Sequence, residues 1–403
     1  MNETSNGNKS IYGKSKAECC GCTACESICP KDAICMTPDA LGFLYPQVDV
    51  DKCINCGLCS RVCSFHEGYD TSMNLSEPEA HAGRLRSAVR LSESQSGGAF
   101  VALSDIILQQ GGVVYGAGFE GHFRVTHQRA CTPEERDALR KSKYVQSDMR
   151  GVMASIKQDL TKGRTVLFSG TACQCAGVRS YIGKQLSTNL ILVDIICHGV
   201  PSPYVWRDYL TWVEQKHKGQ ITDAIFRNKK QFGWRSHRES FRIGKRWHHA
   251  DAYTYLFYNH YMLRESCHAC PYTNTQHPSD ITIADMWGLD ESVHPMLADN
   301  KGCSCILINT AKGNQLYRQS FHALETIKLN VGSFTQPNLQ SPSWRNAYRD
   351  AFEKDFADFG FDTVLRKYGN VSIRYKIDRL RKKSKLFDFV FRGARKIKRI
   401  LCK

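Results

Sequence analysis

The chain has 403 residues, a net charge of +16 and 42% hydrophobic residues. Its length suggests about two to three domains, and its composition excludes a disordered or collagen-like polymer. The basicity is local, because residues 366–403 hold 15 Lys and Arg against 2 Asp. No apolar run approaches the ~18 residues of a spanning helix, and residues 1–16 lack the apolar stretch of a signal peptide. A cytoplasmic setting is therefore expected, in which thiols stay reduced. Nineteen cysteines then point to metal ligation or redox chemistry, not to a disulfide framework.

In chain order, residues 1–16 read as a disordered lead. Residues 17–66 read as an α+β module of ferredoxin type, and 67–86 as a polar linker. From 87 to 335 short β-branched runs alternate with amphipathic stretches. Strands are predicted at Val113–Tyr115, Thr165–Phe168, Leu190–Ile195, Ile221–Phe226, Ile281–Ala284 and Ser304–Asn309. Helices are predicted at Ala99–Gln109, Arg150–Leu160, Cys173–Ile182, Tyr204–His217 and Ala311–Glu325. Such alternation implies an α/β domain with a buried mixed sheet. Residues 336–403 read as a helical, basic tail.

The cysteines of the module repeat. Cys19, Cys22, Cys25 and Cys29 recur, shifted by 34, as Cys53, Cys56, Cys59 and Cys63. Each run is C-x2-C-x2-C-x3-C, the spacing of two-cluster bacterial ferredoxins. Three thiolates on a tight loop hold three irons of a cube, and the fourth points to the other cube. Cys19, Cys22, Cys25 and Cys63 are thus expected on one 4Fe–4S cluster, and Cys53, Cys56, Cys59 and Cys29 on a second. Zinc is the alternative, and it fits poorly, since zinc sites use paired C-x2-C units across a longer loop. Ser64 stands where a second Pro is usual. Cys20 and Cys35 fall outside the spacing. No C-x3-C-x2-C of radical-SAM type occurs.

Gly116-Ala-Gly118-Phe-Glu-Gly121 matches the letters of a dinucleotide fingerprint. However, the residues that follow alternate like a strand, whereas the fingerprint must open a helix. A hairpin turn is the better reading, and no nicotinamide site is expected.

Further segments are ordered along the domain: Ser94-Gln-Ser-Gly-Gly98, Lys141-Ser-Lys-Tyr-Val-Gln-Ser147, Phe168-Ser-Gly-Thr-Ala-Cys-Gln174, Asp194-Ile-Ile-Cys-His-Gly-Val-Pro201, Phe232-Gly-Trp234, Ser266-Cys-His-Ala-Cys270 and Asp280-Ile-Thr-Ile-Ala-Asp-Met-Trp-Gly288. With the ferredoxin module they resemble the coenzyme F-420 hydrogenase/dehydrogenase beta-subunit family over about residues 17–310. The resemblance implies an FAD-containing domain with a further 4Fe–4S cluster, passing electrons between clusters, flavin and a substrate. Ser96, Gly97 and Gly98 at a helix start would offer backbone N–H groups to a pyrophosphate, with Lys141, Lys143 and Tyr144 neutralising it and flanking a ring. Cys173, Cys197, Cys267 and Cys270 would hold the third cluster. Inert buried thiols, or zinc with His268 or His277, are the alternatives, and Cys303 or Cys305 could replace one of the four. Ala172 stands where the family often has Pro. His198 is the candidate proton donor to a reduced substrate, or else a hydrogen-bonded core residue.

In the tail, Ile373, Ile377, Leu380, Phe387, Phe391, Ala394 and Leu401 form one apolar stripe among Lys and Arg. Residues 371–403 suit an anionic membrane surface, or a helix packed on the domain. Nucleic acid is not expected. The reading that joins these features is an iron–sulfur flavoprotein oxidoreductase, cytoplasmic or peripheral at the inner membrane face. It would act with an electron donor or acceptor protein on a small molecule. An F-420-oxidising or -reducing subunit of a larger complex and a non-catalytic electron-transfer adaptor are the rival readings.

Overall fold

β-branched segments that recur between amphipathic ones must bury both faces, and here they do so in one large sheet. The structure, a computed structural model, describes residues 11–66, 69, 77–334 and 336–371. Within the cysteine module, β1 (Ile34–Pro38) and β2 (Leu44–Val48) form an antiparallel hairpin. Next come β3 (Glu79–Leu85), β4 (Val113–Glu120), β5 (Arg124–Ala130), β6 (Val166–Thr171) and β7 (Leu190–Ile195). A separate antiparallel sheet holds β8 (Ile221–Ile225), β9 (Glu239–Ile243) and β10 (Arg246–Ala250). The last strands are β11 (Ile281–Asp285), β12 (Ser304–Ile308) and β13 (Leu324–Leu329).

The main sheet runs β13-β3-β12-β11-β7-β6-β4-β5. Its centre, from β11 through β7 and β6 to β4, is parallel, and its flanks are antiparallel. This is the mixed α/β sheet expected from the alternation. The Gly116–Gly121 segment lies in the β4–β5 hairpin, with Gly121 in the left-handed region at φ 53°, so the hairpin reading holds. The helix Ala99–Gln109 has the predicted bounds, and those at Ala172–Leu186 and Pro203–His217 differ only at their ends.

Four expectations change. The helix predicted over Ala311–Glu325 stops at Gln319, and Leu324–Leu329 is strand β13. Pairing with β3 along six residues satisfies backbone groups that helix propensity alone would have turned inward. The linker predicted over 67–86 contains β3, which lies between β12 and β13. Its Ala80, Ala82 and Gly83 carry none of the β-branched signal of a strand, yet small side chains suit an interior position. The lead predicted to be disordered to residue 16 joins the fold at Ile11, which is buried against Ile34 and Cys59. In the tail, Arg349–Tyr368 is a helix as expected. It is nevertheless part of the core, with Phe352, Phe356, Phe361, Val364 and Leu365 buried against the Pro203–His217 helix. The apolar stripe from Ile373 to Leu401 lies outside the described residues. No helix among the described residues is long and apolar enough to cross a membrane.

Candidate redox site

The two cysteine runs fold back on each other as their spacing requires. Cys29, Cys53, Cys56 and Cys59 line one cavity with Ile34, Val48 and Gly57. These are the four thiols expected on the second cluster. Cys25 faces Cys19 and Cys63, and Cys22 faces Cys25, so the first set is also gathered. Thr23 and Gly57 take the left-handed conformation where each run turns into its short helix. Lys14 Nζ lies 3.4 Å from Cys63 Sγ. Cys35 is exposed and stands apart.

A second group of thiols converges across the domain. Cys173 opens the Ala172–Leu186 helix after β6, Cys197 follows β7, and Cys267 and Cys270 lie in the loop after the Ala252–Tyr258 helix. All four line one cavity, and so does Cys20 of the module. The Cys20 thiol lies between those of Cys22 and Cys173, making contact from one thiol group to the next. Gly177, one turn after Cys173, lets the module pack closely, since a Cβ there would come within 2.8 Å of Cys22 Sγ. Backbone N–H groups of Gly199 and Val200 donate to Cys197 Sγ (3.3 Å) and Cys267 Sγ (3.4 Å). Burial raises these thiols, Cys267 to about 11 and Cys270 to about 12, so protons must leave when a metal arrives. Among the described residues no three His, Cys, Asp or Glu side chains close on a single point as ligands of one ion would. His277 reaches this cavity but pairs with buried Asp194 at 2.9 Å, and His268 bonds Ser343 O. Cys303 and Cys305 are buried in a different core with Ala80 and Trp234, away from the other thiols. Cys175 is buried on the inner side of its helix.

The large cavity of the molecule, about 920 Å³, opens along the carboxyl edge of the parallel strands. That edge is where ligands bind in open α/β sheets. Ser96, Gly98, Lys141, Lys143 and Tyr144 line it, as do Ser169 to Thr171, Ile195 to Pro201 and Ala284–Asp285. Gly98 caps the Ala99–Gln109 helix in the left-handed region, with no side chain bonded to the first amides. The Ser96 hydroxyl is consumed locally, donating to Cys303 O (2.7 Å) and Ala284 O (3.1 Å). Gly97 departs from its expected role. It is absent from the cavity wall, and a Cβ on it would meet Gly83 O at 2.1 Å and Ser304 N at 2.5 Å. Its lack of a side chain serves sheet packing, not approach to a ligand.

Cations gather at this helix start: Arg140 pairs with Asp137 (3.0 Å) and Glu93 (3.6 Å), whereas Lys143 has no carboxylate partner among the described residues. Lys143 Nζ donates only to Ala138 O (3.2 Å) and Arg140 O (2.6 Å). Burial of that amine, with Lys141 and Arg140 beside it, brings its pKa down to about 7. Lys229, bonded to Ser96 O at 2.9 Å, is brought down to about 8, chiefly by burial. Such a set of mutually repelling cations fits a bound diphosphate.

His198 lies where the two cavities approach, next to Cys197. Its Nε2 is 2.8 Å from His260 Nε2, and His260 Nδ1 is 2.7 Å from Trp344 O. Burial and the neighbouring His260 lower its pKa to about 4, so the ring is neutral at ordinary pH. A carbonyl only accepts, so His260 Nδ1 donates to Trp344 and its Nε2 accepts from His198. His198 Nδ1 lies 3.3 Å from Asn338 Oδ1, whose amide nitrogen donates to Ser341 O and Ser343 Oγ. A ring held near 4 is a weak base, so the geometry assigns His198 no proton-donating role at ordinary pH.

The sequence reading passed over the far wall. Trp287 stacks on Trp234 at 4.7 Å and 7°. Asp285, the last residue of β11, is held by Arg227 and by Trp234 Nε1. Tyr258 OH lies 2.6 Å from His237 Nδ1. Phe232-Gly-Trp234 and Met286-Trp-Gly288 were the available signals, but only the fold brings them together.

A mixed sheet with a crevice at its carboxyl edge, backed by a thiol-lined cavity and a ferredoxin-type module, defines an iron–sulfur protein of oxidoreductase type. Comparison gives the family. Residues 163–335 match the family model for the C-terminal part of the coenzyme F-420 hydrogenase/dehydrogenase beta subunit, and residues 46–66 match the 4Fe-4S binding domain. Over residues 163–335, therefore, the chain carries the C-terminal domain of the coenzyme F-420 hydrogenase/dehydrogenase beta-subunit family. No curated protein matches the chain. Among solved structures it is similar to a chain of the F-420-reducing NiFe hydrogenase complex from Methanosarcina barkeri, at 15% identity and a TM-score of 0.46, covering 78% of this chain and 95% of that one.

Proposed function

We propose that the protein is a flavin-dependent iron–sulfur oxidoreductase with two 4Fe–4S clusters in the module, a third at Cys173, Cys197, Cys267 and Cys270, and FAD in the large cavity. The observation that carries this reading is a shared wall. Thr171, Gln174, Ile195, Cys197, Gly199 and Val200 line both the thiol cavity and the large cavity. When bound, the clusters supply single electrons and the flavin combines them into a two-electron step.

The chain's own residues then have separable tasks. Cys20 fills the gap between Cys22 and Cys173. The amides after Gly98, with Lys141, Lys143 and Lys229, hold the diphosphate. Tyr144, on the cavity wall, flanks a ring. His198, on the cavity wall beside Cys197, is the candidate group for proton exchange with the small-molecule substrate. The exposed Val50 and Ile54, beside Cys53 and Cys56, suit the docking of an electron-carrying protein.

Anaerobic purification with iron and flavin assays tests the reading. About twelve irons, as three four-iron cubes require, and one FAD per chain are expected. Absence of flavin from a folded, iron-loaded protein would leave an electron-transfer adaptor. Residues 371–403 are proposed to hold the enzyme at an anionic membrane face, each Lys or Arg near the surface contributing about 1 kcal/mol. Full-length protein should sediment with anionic vesicles at low salt while a 1–370 truncation stays in solution. Equal sedimentation of the two would reject that role.

A further inference from the structure

Arg264 is fully buried, with 0% exposure. Its Nε donates to Cys19 O (2.7 Å), Nη1 to Gln146 Oε1 (2.8 Å) and Nη2 to Leu44 O (2.8 Å), and Nη2 also lies 3.5 Å from Cys19 Sγ. The guanidinium stacks 4.1 Å from the Tyr45 ring. The chain makes room for it at Gly21, whose φ of 69° and missing Cβ let Nη1 come close, since a Cβ would sit 2.8 Å away.

Other deeply buried arginines show what is missing. Arg136 has Asp105 at 2.8 Å, Arg349 has Glu353 at 2.8 Å, and Arg227 has Asp285. Among the described residues no carboxylate pairs with Arg264. A buried cation without an anion costs several kcal/mol, so the fold must supply a counter-charge. The groups around it that could turn anionic are Cys19, Tyr45, Cys20 and Cys267, and burial keeps the Tyr45 phenol protonated, which leaves the thiols.

We propose that Arg264 is the counter-ion of the cluster bound through Cys19 and that it raises the reduction potential of that cluster. This rests on the proposed iron–sulfur content. Four thiolates outweigh the positive charge of a cube, and uptake of one electron from a donor adds one further negative charge. No bond or proton moves in that step. A fixed cation in a low-dielectric setting therefore favours the reduced state. The Cys29, Cys53, Cys56 and Cys59 cavity has only the exposed Lys31 in its wall as a cation, where water screens it. The inner cluster is thus biased to take electrons from the outer one.

The test is an EPR-monitored redox titration of full-length, anaerobically purified holoprotein, with dithionite as reductant. Arg264→Gln should lower one midpoint potential by at least a tenfold change in oxidised-to-reduced ratio, about 59 mV for one electron. Arg264→Lys should restore most of it. Lys14→Gln, at the same cluster but partly exposed, should move it less. If Arg264→Gln does not accumulate as holoprotein, Gln146→Glu brings a carboxylate to the same guanidinium and should lower the same potential. Full iron content with all midpoint potentials unchanged in these variants would overturn the assignment. An iron-free wild-type protein would instead overturn the iron–sulfur reading beneath it.

Discussion

The two thiol groups of this protein are assembled in opposite ways. In the module, eight cysteines come from two short runs, Cys19–Cys29 and Cys53–Cys63, and their mutual placement is set by local turns. In the α/β domain, Cys173, Cys197, Cys267 and Cys270 come from three separate segments, a helix start and two loops, that meet only because β6, β7 and the loop after the Ala252–Tyr258 helix share one end of the sheet. The module also has little core of its own. Ile11, Ile34 and Cys59 form its own buried cluster, against the broad Leu, Ile and Val core beneath the sheet. A local motif can therefore announce its chemistry in the sequence while burying little apolar surface of its own. The distant site is silent in spacing but sits on a scaffold that stands without it.

The most direct challenge to this contrast is to remove one thiolate from each group. Cys59→Ser should lose about four irons and, because metal binding is folding energy in small metal modules, also lose amide protection across residues 29–63. Cys197→Ser with Cys270→Ser should lose a similar amount of iron while the protection of β6, β7 and β11 stays. Iron assay and hydrogen exchange read both. Retained protection in iron-depleted Cys59→Ser would show that the module folds without its clusters.

Legibility followed the same division. The ferredoxin spacing, the central strands and the β4–β5 hairpin were readable because each is a local pattern. Strand β3 was not, since Glu79 to Leu85 is built of small and charged residues that look like a linker until β12 and β13 flank it. Cys20 seemed surplus because its partner, Cys173, lies in another domain. Lys143 and Tyr144 were found through a resemblance, but the depressed amine of Lys143 depends on burial that no sequence window contains.

Gly97 bears on the same contrast with a smaller effect. The motif reading makes it a ligand-approach glycine, whereas the structure wedges it between β3 and β12. Gly97→Ala should then cost about 3 kcal/mol of unfolding free energy, the upper end of overpacking penalties, whether or not flavin is present. Denaturant titration of apo and holo forms measures this. Normal stability with flavin binding alone lost would return Gly97 to the ligand.

The smallest expected effect concerns protons at the diphosphate. In the free protein the Lys143 amine titrates near 7, well below an ordinary lysine, because it is buried beside Lys141 and Arg140. A bound diphosphate, fully ionised in this range, stabilises the protonated amine and raises that value. Binding therefore takes up a proton whenever the pH lies between the free and the bound value. Linkage fixes the sign: affinity falls as pH rises above about 7, by up to tenfold, or about 1.4 kcal/mol, per pH unit. Below 7 the amine is already charged and its contribution is flat. Isothermal titration of apoprotein with FAD from pH 6.5 to 8.5 should show this slope in the wild type. It should be shallower in Lys143→Met, which also binds more weakly at pH 6.5. Lys229, at about 8, adds a second and later contribution, so the variant keeps a residual slope only toward the upper limit. A profile that is level in the wild type, or unchanged by Lys143→Met, would move the diphosphate away from this cluster of cations and break its link to the Gly98 helix start.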